Sequence, residues 1–134
     1  MIPYPYSRYM LVSANQFLLT SYYAYVSNEI VMSVMILMVY ITSLMLWSVP
    51  KEGFREKLDK TVVCSVGSYF VYKVGFDHTV MIGVMIMIMS YMVSAEYYLQ
   101  SEYKRSAIVH VLGVHSMGNV MNAYIVWKLN NKLI

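Results

Sequence analysis

Residues 30–50 read IVMSVMILMVYITSLMLWSVP, a run of 21 without one charged side chain. The hydrocarbon core of a bilayer is about 30 Å thick, and a helix needs about 20 apolar residues to cross it. Dense in Val, Met, Ile and Leu, this run has the length and composition of one crossing. Four further stretches appear when the chain is cut at its charges. Residues 9–28 give an uncharged run of 20, the most polar of the set because it holds Asn15, Gln16 and several Ser, Thr and Tyr. Residues 61–72 give 12, extended to 16 at Phe76 if Lys73 snorkels. Residues 79–95 give 17, and residues 106–127 give 22 with His110, His115, Asn119 and Asn122 inside.

Composition agrees with this pattern. The 134 residues are 59% hydrophobic and 13% charged, against about 45–50% and about a quarter in soluble domains. A soluble chain of this size needs a polar shell that so few charges cannot supply. These values argue against a soluble enzyme, a disordered chain and a nucleic-acid binder. The expected fold is all-α: a polytopic transmembrane bundle of four to five helices, with residues 1–134 as a single domain. It is four if residues 9–28 lie in the interface instead of crossing. No linker, low-complexity tract or internal repeat is evident, and the start lacks the pattern of a cleavable signal. Gly53, just beyond Pro50, suits the turn that stops the second helix. Cys64 is the only cysteine, so no disulfide forms within the chain.

With five crossings the amino terminus, the 51–60 segment and the 96–105 segment share one side. Seven basic residues fall there: Arg8, Lys51, Arg55, Lys57, Lys60, Lys104 and Arg105. Lys73, Lys128 and Lys132, three in all, fall on the other. The positive-inside rule then puts the amino terminus on the cytosolic side of a multi-pass membrane protein. Which membrane that is, the sequence leaves open.

Polar residues at membrane depth need partners, so they are the first candidates for function. On the second helix Ser33, Tyr40, Ser43 and Trp47 share one face, and on the fourth Thr79, Gly83, Ser90 and Ser94 do. Small residues in such stripes let helices approach closely, which makes both packing seams. The last span should sit centrally in the bundle or line a wet cavity. Its histidines read as structural groups bonded to neighbouring helices, or as ligands or proton carriers. On an α-helix His110 and His115, five apart, point away from each other.

The order of polar residues resembles the CREST superfamily of membrane hydrolases, which includes alkaline ceramidases and GPI-anchor lipid-remodelling proteins. Ser43 stands near the end of the second helix, Asp59 leads into the third, and Ser106-Ala107-Ile108-Val109-His110 looks like the HxxxH of the last. The resemblance implies Ser43, Asp59 and His110 as catalytic residues, with His110 a zinc ligand in cleavage of a lipid amide or ester. This chain has Trp47 at the family's second-helix histidine and Ser106 at the first of its HxxxH pair. One imidazole does not hold a catalytic zinc, which normally takes three protein ligands.

Three functions are therefore set against one another. The first is a non-catalytic structural or assembly subunit, embedded in the lipid bilayer and packed against other membrane proteins or copies of itself, with no cofactor and no nucleic acid. The second is a reduced CREST-type lipid hydrolase, the one reading that calls for zinc. The third is a small oligomeric pore or transporter subunit lined by His115, Asn119 and Asn122. The first is the expectation.

Overall fold

A computed structural model of the chain describes residues 6–48 and 53–131. Among them every regular element is helical: α1 (Ser7–Val26), α2 (Ile30–Ser48), α3 (Phe54–Val74), α4 (His78–Leu99), α5 (Tyr103–His110), a π turn (Val111–Ser116) and α6 (Met117–Asn130). The last three form one continuous rod, so the all-α expectation is met. By length and composition two helices, α2 and α4, are long and apolar enough to cross a membrane. Lys51 and Lys132 of the charge count, and Pro50, lie outside the described residues.

The third helix starts earlier than the charge cut suggests. Residues 54–60 are its first two turns and not a loop, because Arg, Glu, Lys and Leu are good helix formers whatever their charge. A Glu56–Lys60 pair supports that start at i,i+4 spacing. Gly53 precedes it with φ 122°, a conformation that favours glycine. At the other end Gly75, φ 72°, closes α3 and Asp77 opens α4 by accepting the Val80 amide.

Consecutive helices run antiparallel, and the last rod holds the set together, touching α1, α3 and α4. Phe17, Met32, Ile36, Phe70, Val80 and Ile125 belong to one apolar core that reaches the 75–77 end. Met10, Leu46, Trp47 and Ala107 form a smaller one at the opposite end. The α4 seam is real: Gly83 lies against Met121, Gly113 against Ser90, and Ser94 bonds Ser106.

Two hairpins repeat one design. In α1–α2 the Glu29 amide bonds the Ala24 carbonyl, with Asn28 left-handed at φ 62°. In α4–α5 the Glu102 amide bonds the Tyr97 carbonyl, with Ser101 at φ 61°. Each is the 6→1 closure of a Schellman turn. Above each turn a serine pair clasps the helices reciprocally. Ser21 Oγ donates to the Ser33 carbonyl and Ser33 Oγ to that of Ser21, both at 2.8 Å. Ser94 and Ser106 exchange the same bonds at 3.0 and 2.8 Å. The equivalences 21 to 94, 28 to 101 and 33 to 106 keep one constant interval. An internal repeat thus exists where the sequence shows none, because only Ser21/Ser94, Tyr25/Tyr98, Glu29/Glu102, Ser33/Ser106 and Ser43/Ser116 are identical across it. The two turns sit at opposite ends of the bundle.

At the 75–77 end Lys128 Nζ meets Asp77 Oδ2, with Tyr124 Oη on the same oxygen. The Lys128 ammonium, helped by the Val80 amide, holds the Asp77 carboxyl down to about 2. A carboxyl lowered by folding stabilises the native state above its ordinary value near 3.8 and loses that contribution as pH falls toward 2. Acid unfolding between about pH 4 and 2 should therefore be less steep in Asp77→Asn, which keeps the cap acceptor and loses the charge. A pH series of thermal melts on the two proteins checks this, and identical acid limbs would contradict it.

Candidate functional site

The end that carries the basic residues holds a lateral cleft of about 230 Å³. Its origin is a packing asymmetry. Helix α4 leans on α5, the π turn and α6, and makes no comparable contact with α2 or α3. The gap is walled by Trp47 from α2, Asp59 and Lys60 from α3, and Tyr91 from α4, over a floor of Ser106 and His110.

Asp59 is 9% exposed, and burying a carboxylate is costly unless it is hydrogen-bonded or paired. Two neighbours on α2 supply the bonds: Thr42 Oγ1 and Ser43 Oγ both donate to Oδ1 at 2.9 Å. Adjacent hydroxyls converge there because Asp59 lies on the α3 face that packs on the end of α2. Lys60, the next residue, turns its ammonium to Glu56 at 2.6 Å. His110 sits edge-on to Trp47 and Tyr91, with ring centroids 5.7 and 6.0 Å away.

The structure thus brings Ser43, Asp59 and His110 to one end of the bundle. Ser43 bonds Asp59, and Asp59 and His110 line the same cleft. No hydrogen bond joins His110 to either of the other two. Trp47 packs on His110, and Ser106 is committed to its clasp with Ser94. Among the described residues no group of three His, Cys, Asp or Glu is placed to hold a metal. One imidazole, one carboxylate already bonded by two hydroxyls, an indole and an occupied serine do not make the donor set of a catalytic zinc. What the arrangement does offer is hydrogen-bonding and charge recognition beside aromatic surface.

One expectation is reversed. His110 and His115 do not point apart: their ring centroids are 5.2 Å from each other. The reason is the π turn between them, whose i→i+5 bonding puts residues five apart on one face. His115 is buried, its Nδ1 2.6 Å from Ser13 Oγ on α1. It is a histidine bonded to a neighbouring helix, as the structural reading holds. Asn119 follows the same pattern, receiving Thr20 Oγ1 and donating to the His115 carbonyl at 2.8 Å. These groups face a helix seam. Residues that the sequence reading passed over are Thr42, Lys60 and Tyr91. The only signal for Thr42 was its place beside Ser43, and for Tyr91 its place one residue after the Ser90 of the α4 stripe.

Searches against protein-family models, curated proteins and solved structures return no match to the chain.

Proposed function

We propose that the chain is a small polytopic integral membrane protein, crossing the bilayer with all five helical rods and serving as a non-catalytic structural or assembly subunit. The observation that supports this most is an inside-out distribution of polarity. On α1, Ser13, Thr20 and Ser21 are buried, whereas Val12 and Leu19 are 70% and 71% exposed. On α4, Ile82, Met85, Met89 and Met92 are half-exposed or more, and Gly83 and Ser94 are turned in. Water would drive the opposite arrangement, and a bilayer asks for this one, since buried polar groups must pair internally and lipid accepts the rest. Two helices alone satisfy length and hydropathy; the exterior extends the membrane reading to the others. The end bearing Arg8, Arg55, Lys57, Lys60, Lys104 and Arg105 faces the cytosol in this reading. Its partners are the bilayer and either other membrane subunits or further copies.

Alkaline carbonate extraction and labelling of single cysteines test it. In a Cys64→Ser background, cysteines at Ser101 and at Asn28 are expected to label from opposite sides. Release of the chain by carbonate, or labelling of both from one side, would overturn the reading.

The pairing of Ser43 with Asp59 in a cleft shared with His110 favours the reduced CREST-type hydrolase as the second reading. Metal analysis of detergent-purified protein separates the two. The subunit reading expects no stoichiometric zinc, in the parent or in His110→Ala. Bound zinc that His110→Ala removes would establish the hydrolase.

A further inference from the structure

We propose that the cleft between α2, α3 and α4 binds the head of an ammonium-bearing zwitterionic phospholipid, of the phosphoethanolamine type, with the lipid's chains lying along the apolar outer face. The inference rests on the membrane reading above for the source of the ligand, though not for the chemistry of the site. It starts from an unfinished carboxylate. Asp59 is nine-tenths buried, and both hydrogen bonds it receives go to Oδ1. Among the described residues no donor meets Oδ2, and Asp59 lines the cleft. Hydroxyls bring no positive charge, and the ammonium of Lys60, the next residue, is engaged by Glu56 at 2.6 Å. A buried carboxylate in this state calls for a cationic donor.

Trp47 and Tyr91 add aromatic lining beside it, and ammonium groups favour aromatic surface. Lys60, on the cleft rim beside Glu56 and with its side chain 53% exposed, has further N–H donors besides the one held by Glu56, and these can meet a phosphate next to the ammonium. Acid below, base at the rim and aromatic sides therefore match a head with an ammonium at its tip and a phosphate behind it. A lipid reaches the site sideways, because α4 stands off α2 and α3.

The chain has two tryptophans, so Trp127→Phe leaves Trp47 as a fluorescent reporter inside the cleft. Detergent-solubilised protein is titrated with short-chain phosphatidylethanolamine, phosphatidylglycerol and a monoacylglycerol. Phosphatidylethanolamine is expected to give a saturable change at about tenfold lower concentration than either of the others. Asp59→Asn, whose Oδ1 still accepts from Thr42 and Ser43, is expected to erase that preference. Soluble phosphoethanolamine is expected to compete in the parent protein, an arm that needs neither a variant nor a membrane. Equal binding of phosphatidylglycerol, equal binding of the monoacylglycerol (recognition of a hydroxyl), no saturable change, or a preference that survives Asp59→Asn would each overturn the assignment. If carbonate releases the chain but phosphoethanolamine still shifts Trp47 fluorescence, the membrane reading falls and the site stands.

Discussion

Gly113→Ala is expected to loosen the α4 seam, and Ser90→Gly in the same chain to restore it. A Cβ built on Gly113 would overlap both Oγ and Cβ of Ser90, and a Cβ cannot rotate away as a side-chain tip can. Either α4 shifts outward or the π turn deforms. Alanine returns about 1 kcal/mol of helix propensity over glycine, so the contact cost has to exceed that. Overpacking costs about 1–3 kcal/mol, and small residues are what allow helices to meet this closely in a membrane. A net loss of up to about 2 kcal/mol is expected, read by unfolding in mixed detergent micelles. With Ser90→Gly the overlapping atoms disappear, and the nearest remaining one, the Cα at position 90, lies at 3.6 Å, an ordinary contact. The double variant should thus be more stable than Gly113→Ala alone, although each substitution by itself destabilises. Gly83→Ala is the internal control. It meets only the side chain of Met121, which is flexible and can give way, so its loss is expected to be smaller. Additive losses at 90 and 113 would show that the two positions do not share a contact.

That seam was partly legible from residue spacing. Gly83, Ser90 and Ser94 recur on one face of a 3.6-residue period, and all three meet the last rod. The helical class and the cuts between helices were legible for a related reason: charges are so scarce that each one marks an end. The same rule misplaced the start of α3, since residues 54–60 are charged and helical together. Ser43 and Asp59 could be paired from their order along the chain, because the end of α2 and the start of α3 must be neighbours. Two features had no signal of their own. The hairpin repeat lives in backbone closure and in serine clasps, which few side-chain identities report. The π turn breaks the assumption behind every face drawn on the last helix, so a periodicity argument separated two histidines whose rings are packed together.

The π turn also has a side chain that sustains it, and removing that side chain should have a large effect. Widening a helix from i→i+4 to i→i+5 bonding displaces carbonyls from their regular donors. Asn119 Nδ2 supplies the His115 carbonyl with one at 2.8 Å, and Asn119 Oδ1 accepts Thr20 Oγ1 from α1. One amide thus holds the turn and ties it to the neighbouring helix. Asn119→Leu fits the volume but removes both bonds, the one to the His115 carbonyl and the one from Thr20, and leaves the Thr20 hydroxyl without its acceptor on the last rod. A buried group left unsatisfied costs about 1–3 kcal/mol, and a single interhelical bond in a membrane is worth about 0.6 kcal/mol on average. The expected loss is about 2–3 kcal/mol. Thr20→Val tests the division of that sum: it removes only the interhelical bond, so its loss should fall near or below about 1 kcal/mol. Stability alone would not distinguish a lost π turn from a weakened one, but the His115 ring does. Should the segment relax to α geometry in Asn119→Leu, residues 110 and 115 rotate apart, and His115 leaves Ser13. Ring nitrogen shifts of His115 are then expected to move in Asn119→Leu and to hold in Thr20→Val. Unchanged shifts in the leucine variant would mean that the turn is kept by the packing of Gly113 on Ser90, and that Asn119 only fastens the rod to α1.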